Sequence, residues 1–221
     1  MLPSSRRRKA WEYWADRFTS LLGEPFSGKC LSAACGFTAE LLRNPRSVGA
    51  VCPSGEQLAG NMAALIPAEG TGLIVEIGAG TGAVTEAMLQ RGIASERLLI
   101  LERSPSFCHL LRQKFPHLRI VQGDAAKLAS YIPLDTKVDA VVSSVPLMSL
   151  SRAMRSAIIH QIKGLLRPGS CVIQYTYMLW GPSPFRRVGY ACDRRRFVLR
   201  NLPPARLERF QVPRHGHLQS V

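Results

Sequence analysis

One carboxylate and three glycines occupy every second position of Glu76-Ile77-Gly78-Ala79-Gly80-Thr81-Gly82, the stretch in which residue type and spacing most directly imply chemistry. The residues leading into it, Leu73-Ile74-Val75-Glu76-Ile77, are apolar and mostly β-branched apart from Glu76, which predicts a short buried parallel strand. Glycine at every second position lets the backbone turn sharply and lets another molecule approach it closely. A helical pattern over residues 83–90 puts the loop between a strand and a helix N-terminus. That is the outline of a nucleotide-type cofactor site. The motif is ambiguous by itself: Gly78 to Ala83 also fits the dinucleotide fingerprint, and a ligand-free turn would use the same glycines.

Polar residues at the ends of the next apolar runs narrow the choice. Residues 97–101 end on Glu102, a carboxylate placed to accept hydrogen bonds from both hydroxyls of a ribose. Residues 118–122 end on Gly123-Asp124-Ala125, which can present a carboxylate to an adenine amino group. Residues 138–142 end on Ser143-Ser144-Val145-Pro146-Leu147. His160, His215 and His217 have no partners at metal or triad spacing, and no cysteine pair closes a zinc site, so no metal is expected.

These strand ends must be held side by side, and the order of elements can do so. Strands are expected at 73–77, 97–102, 118–123, 137–144 and 170–177, with helices at 83–91, 105–114 and 152–166 and a short one near 125–131. Such alternation predicts a parallel, doubly wound α/β sheet that binds ligands at the carboxyl ends of its strands. Residues 196–200 and 207–212 read as two more strands, joined by Asn201-Leu202-Pro203-Pro204-Ala205 too tightly for a helical crossover and therefore antiparallel. Upstream, Trp11, Trp14, Phe18, Leu21 and Leu22 fall on one stripe of a helix over residues 10–22. A further helix, with Ser54 as its N-cap, carries Leu58, Met62 and Leu65 on its apolar side. The expected division is an N-terminal helical extension over 1–70, acting as a membrane-facing lid, and an α/β domain over 71–221.

A chain of 221 residues can bury a full core, and its formal net charge of +14 points to an anionic partner surface, nucleic acid or acidic lipid, unless it is only a solvated basic shell. The six cysteines form no CxxC pair, which suits a reducing compartment. No apolar run approaches the roughly 20 residues that a membrane span needs. Arg6, Arg7, Arg8 and Lys9 precede the tryptophan stripe, a combination suited to the water–lipid interface. The same stripe could instead pack on the α/β domain.

Read together, Glu-x-Gly-x-Gly-x-Gly at 76–82, Glu102, Gly123-Asp124 and Ser144-Val145-Pro146 resemble the class I S-adenosylmethionine-dependent methyltransferases. The resemblance implies a Rossmann-like seven-stranded sheet of order 3-2-1-4-5-7-6, its last strand antiparallel, with helices on both faces. It also implies S-adenosyl-L-methionine as cofactor, held by Glu76, Gly78, Gly80, Thr81, Gly82, Glu102, Arg103, Gly123, Asp124, Ala125 and Ser143.

The residues from Val48 to Ala59, Ser143 to Leu150, Gln174-Tyr175-Thr176-Tyr177 and the Asn201–Ala205 turn resemble, over roughly residues 10–212, the soluble bacterial phospholipid N-methyltransferases. This implies stepwise methylation of phosphatidylethanolamine toward phosphatidylcholine, by a cytoplasmic protein peripherally associated with an anionic inner-membrane surface. Tyr177 is the expected catalytic contact to the amine, through its ring face or its hydroxyl. It is chosen over Tyr175 on the reading that the two alternate along a strand, so that only one faces the pocket. Tyr175, Ser144, Pro146 and Trp14 are the expected substrate contacts, with Arg186 and Arg187 just past the strand end for a lipid phosphate. An RNA adenine N6-methyltransferase is the rival enzyme. That chemistry wants an Asn or Asp carbonyl oxygen where Ser144 stands and a stacking ring where Leu147 stands. A non-catalytic cofactor-binding scaffold is the third reading, but it would not need the glycine loop, Glu102 and Asp124 together.

Overall fold

Ile74, Val75 and Ile77 are each fully buried, as an apolar run covered on both sides by helices must be. The computed structural model of the protein describes residues 55–67, 69–181, 183–199, 201 and 204–212, without the side chain of Arg187. The helix expected over 10–22 with Trp14, and the stretch up to Ser54, lie outside the described residues. Among the described residues helix α1 (Glu56–Ala64) comes first, followed by β1 (Leu73–Ile77), α2 (Ala83–Gln90), β2 (Leu98–Glu102), α3 (Pro105–Lys114) and β3 (Arg119–Gln122). Then come β4 (Val138–Ser143), α4 (Arg152–Leu165), β5 (Cys171–Thr176), β6 (Ala191–Val198) and β7 (Ala205–Gln211).

The strands form one seven-stranded sheet of order β3-β2-β1-β4-β5-β7-β6. Strands β1 to β5 pair in parallel, and β7 runs antiparallel to both β5 and β6. Order and direction are those expected. Successive side chains of a strand point to opposite faces, so each strand feeds two cores. Ile74, Ile100, Val142 and Ile173 pack with Leu58 and Met62 of α1 and with Val84 and Met88 of α2. Val75, Leu99, Val141 and Val172 pack on the other face with Ile158 and Ile162 of α4. Burying each such aliphatic side chain is worth about 1.5–3 kcal/mol. The helices that cover these faces start as their sequences dictate. Pro105 occupies the first turn of α3 and Ser104 Oγ accepts from Phe107 N at 3.5 Å, while Ser151 Oγ accepts from Met154 N at 3.2 Å to open α4.

Three local departures have physical causes. The N-cap of α1 is Gly55, not Ser54, and its N–H donates to Asn201 Oδ1 at 3.0 Å, so a distant side chain replaces a local cap. This helix falls within the stretch assigned to the extension, yet its buried residues join the core of the sheet. Strand β6 starts at Ala191, five residues before the expected start at Arg196. It is the edge of the sheet, so its Arg194-Arg195-Arg196 run stays exposed and no period-two apolar signal marks it.

Candidate functional site

The glycine loop leaves β1 and is tied to the end of β2 by Gly78 N donating to Leu101 O at 2.8 Å. Gly78, Gly80 and Gly82 all have positive φ, at 75°, 56° and 82°, which L side chains rarely adopt. Their surroundings differ. A Cβ on Gly78 would lie 2.9 Å from Val145 Cγ2, and one on Gly82 would lie 2.6 Å from the Phe115 ring. Those two glycines let protein pack on protein. A Cβ on Gly80 would meet nothing within 4 Å, so this position fronts open space into which a ligand fits.

Glu76 points from β1 to the α1–α2 side and is completely buried. Thr85 Oγ1 donates to its Oε2 at 2.6 Å, whereas Oε1 has no hydrogen-bond partner. Burial pushes the Glu76 carboxyl up to about 7, against the lowering by the Thr85 hydroxyl and with a further push from the nearby Glu102 charge. A buried oxygen without a donor is costly, and a ligand ammonium would supply the missing donor. The loop, the open space at Gly80 and this orphaned oxygen together fit the nucleoside and amino-acid ends of S-adenosylmethionine.

Glu102 ends β2 and is nearly buried, on the same face as Glu76. Its Oε2 accepts from Gly80 N at 2.9 Å, and its Oε1 accepts from Arg103 N at 2.7 Å and Ser104 N at 2.8 Å. A carboxylate has roughly four lone-pair sites, so these amides leave it capacity to accept from a ligand hydroxyl. The expected contact to the ribose hydroxyls is made by this same carboxylate, whose amide partners fix its orientation at the end of β2. Arg103 itself is exposed, and Thr81 is half-buried in the loop.

Asp124 follows β3, where its Oδ1 accepts from Ala126 N at 2.9 Å and caps the turn that Ala125 begins. Asp124 N donates to Tyr131 Oη at 3.2 Å, and a Cβ on Gly123 would lie 2.5 Å from the Tyr131 ring. Tyr131 therefore shapes this corner, and nothing in its local sequence announces it.

The ends of β4 and β5 form the other side. Ser144 N donates to Ile77 O at 2.9 Å, which lays this segment against the glycine loop, and Pro146 then starts a single helical turn. Ser143 stands in register with Ile77 on one side and Gln174 on the other. Gln174 Nε2 donates to Val145 O at 3.1 Å and Tyr175 O at 2.7 Å. Ser143 Oγ, Ser144 Oγ and Gln174 Oε1 are buried without hydrogen-bond partners. Gln174 went unassigned in the sequence reading, although an amide inside the apolar run 171–175 is a visible anomaly.

Tyr175 and Tyr177 correct the earlier choice between them. Residues two apart on a strand share a face, and the two rings meet edge to face with centroids 5.4 Å apart. Tyr175 is buried in the α1–α2 core, while Tyr177, one residue past β5, is half-buried against it. Arg186 is not beside them. It lines a cleft of about 710 Å³ with residues 189–195. Register pairs Ala191 with Gln211 and Gln211 with Cys171, the first residue of β5, so that cleft belongs to the opposite end of the sheet. Nearer the ligand end, the buried Arg206 donates from Nη1 to Leu179 O at 3.1 Å and Gly181 O at 3.0 Å, with its Nε 3.6 Å from Glu208 Oε1.

Comparison with known proteins agrees with this geometry. A family model described as a methyltransferase domain matches residues 74–169, the stretch from β1 to the turn before β5. The chain is 31% identical over 176 residues to an ornithine lipid N-methyltransferase of Singulisphaera acidiphila, covering 76% of this chain and 91% of that protein. The fold resembles the glycopeptide N-methyltransferase MtfA complexed with S-adenosyl-L-homocysteine, at 16% identity and a TM-score of 0.56, over 74% of this chain and 89% of that one. It equally resembles the magnesium protoporphyrin IX methyltransferase of Synechocystis with S-adenosylmethionine bound, at 17% identity and a TM-score of 0.56, over 71% and 78%. With strand order, loop and carboxylates all in place, the chain belongs to the class I S-adenosylmethionine-dependent methyltransferases.

Proposed function

We propose that this methyltransferase acts on the primary amine of a membrane lipid. The observation that carries the acceptor class is the match to an ornithine lipid N-methyltransferase over 91% of that relative's length. The sequence reading named phosphatidylethanolamine, and both lipids offer an alkyl amine close to an anionic group. Ornithine lipid is the first acceptor to test and phosphatidylethanolamine the second. The protein would meet its substrate as a peripheral partner of an anionic membrane surface. Among the described residues no helix is long and apolar enough to cross a membrane.

Bound S-adenosylmethionine supplies a methyl group on a sulfonium, open to in-line attack. The glycine loop, Glu76, Glu102 and Asp124 would hold that donor, Glu76 through its partnerless oxygen. The amine must arrive with a free lone pair, so the site has to orient its remaining hydrogens. Ser143 Oγ, Ser144 Oγ and Gln174 Oε1 are oxygens lacking partners at the ends of β4 and β5, the chemistry that suits an N–H donor. Tyr177 is the residue we assign to contact the amine from the opposite face. Positioning and exclusion of water provide the rate enhancement.

The rival RNA adenine reading is disfavoured by Ser144 and by Leu147, which is buried and cannot stack on a base. Incubation of the full chain with labelled donor, a bacterial lipid extract containing both aminolipids, and total RNA separates the readings. Label in an aminolipid is expected. Label in RNA alone would overturn the proposal.

A further inference from the structure

Strand β5 ends at Thr176, which stands in register with Arg206 of β7, and Arg206 with Phe197 of β6. The segments after β5 and at the end of β6 therefore leave the sheet side by side, at the end where the glycine loop sits. Both carry large apolar side chains into solvent: Met178 is 50% exposed, Trp180 78%, Phe197 49% and Leu199 69%. The buried Arg206 fixes the carbonyls on either side of Trp180, those of Leu179 and Gly181, with Glu208 behind it. Trp180 is thus held outward by a built strut. The apolar tip is backed by cations, because Arg194 and Arg196 precede it on the edge strand and are exposed, Arg196 leaning on Asn61 Oδ1 at 3.4 Å.

We infer that this tip is a docking surface for an anionic lipid bilayer, with Met178, Trp180, Phe197 and Leu199 entering the interface and Arg194 and Arg196 meeting the headgroups. The inference rests on the lipid reading of the function and adds a second anchor, on the α/β domain itself. Dimensions agree. A strand rises about 3.4 Å per residue, which sets Arg196 and Arg194 about 3 and 10 Å behind Phe197. The headgroup layer is about 5–7 Å deep on each side of the hydrocarbon. Tryptophan favours that layer, where its ring is half apolar and half wet, and arginines there gain from anionic lipid. Docked in this way, the protein turns the ends of β4 and β5 toward the headgroups, so a lipid amine can reach them without leaving the membrane.

Leu134 supplies an internal control. It is 96% exposed and lies just before β4, at the opposite end of the sheet. The test compares the full chain with W180S/L199S and with L134S, by sedimentation with phosphatidylglycerol-containing and neutral vesicles. Trp11→Phe with Trp14→Phe leaves Trp180 as the single fluorophore for quenching by brominated lipid. Binding to anionic vesicles should fall about tenfold or more in W180S/L199S, stay at the parent level in L134S, and Trp180 should be quenched. Parent-level binding by W180S/L199S, or equal loss in L134S, overturns the inference, as does self-association that W180S/L199S abolishes while vesicle binding persists. Methylation of a short-chain aminolipid below its micellar concentration is followed in parallel. The lipid reading fails if the parent leaves that lipid unmethylated, whatever vesicles show. The docking surface fails if vesicle binding ignores Trp180, whatever that lipid shows.

Discussion

The two ends of the binding face are built differently. On the cofactor side, short motifs at the ends of β1 and β2 meet at one carboxylate: Gly80 N and the Arg103 and Ser104 amides all converge on Glu102. On the acceptor side, β4 to β7 bring together residues far apart in the chain, and they leave Ser143, Ser144 and Gln174 with buried oxygens that lack partners. The first arrangement leaves one open valence, the buried Glu76 Oε1. The second is a set of open valences that a substrate would close, and such open polar sites reject molecules lacking the matching group. The cofactor end is thus written in local motifs, and the proposed acceptor end in tertiary packing.

That contrast can be broken at the loop, where the largest effects are expected. Gly80→Val should abolish measurable S-adenosylmethionine binding in calorimetry, since its side chain enters the space that the ligand needs. Gly82→Val instead drives a side chain into Phe115 and Leu111. It should cost about 1–3 kcal/mol from overpacking alone and lower Tm by several degrees in a thermal melt. If Gly80→Val binds the donor normally, the loop is a structural turn only.

Glu102→Ala comes next, with an expected loss of about 1.5–3 kcal/mol, or roughly tenfold to a hundredfold in donor affinity. Loss of the carboxylate also frees three amides, so Glu102→Gln, which keeps an acceptor oxygen, should fall between parent and Ala in the same titration.

Glu76 sharpens the comparison through pH. Its carboxyl is raised to about 7, chiefly by burial. The folded state therefore keeps a proton that the unfolded chain releases near the ordinary value of 4.5. The sign follows: this group favours the fold fully below about pH 4.5, and that contribution is lost as pH rises through about 7. Donor binding runs the other way, because an ammonium needs the ionised carboxylate. Affinity should rise up to about tenfold per unit from pH 5 to 7 and flatten above. Calorimetry across that range should find the slope missing in Glu76→Gln. A slope that persists there would assign it to another group.

The smallest effects are expected on the acceptor side. Gln174→Ala should lower kcat with aminolipid by about tenfold while donor affinity stays within about twofold, as removal of one neutral hydrogen-bonding group implies. Equal loss of donor affinity would merge the two regions into one.

Much of the cofactor side was legible beforehand because strand ends, glycines and capping carboxylates follow one another within a few residues. Glu76, Gly80, Glu102 and Asp124 needed only the alternation of elements to be brought together. The acceptor side was less so. Gln174 acts on Val145, 29 residues away, and Arg206 on Leu179, 27 residues away, which no local pattern specifies; on the cofactor side the same holds of Tyr131 at the Asp124 corner. The start of β6 was missed because an edge strand carries arginines instead of an apolar alternation. Arg186 was placed by proximity in sequence to the end of β5, whereas the chain runs back along the sheet before β6 begins. The choice between Tyr175 and Tyr177 rested on a mistaken parity that the period of a strand excludes.

The central claim is methyl transfer to a lipid amine at the ends of β4 and β5, and single-turnover methylation in mixed micelles tests it most directly. Defined ornithine lipid and phosphatidylethanolamine are offered separately to the parent, Tyr177→Phe and Tyr177→Ala, with donor affinity and melting measured alongside. At least one aminolipid should gain methyl groups on its nitrogen. Tyr177→Ala should be slow with donor affinity intact, and Tyr177→Phe near the parent if the ring face holds the amine, an attraction worth about 0.5–2 kcal/mol. A folded, donor-binding parent that methylates neither lipid would contradict the account.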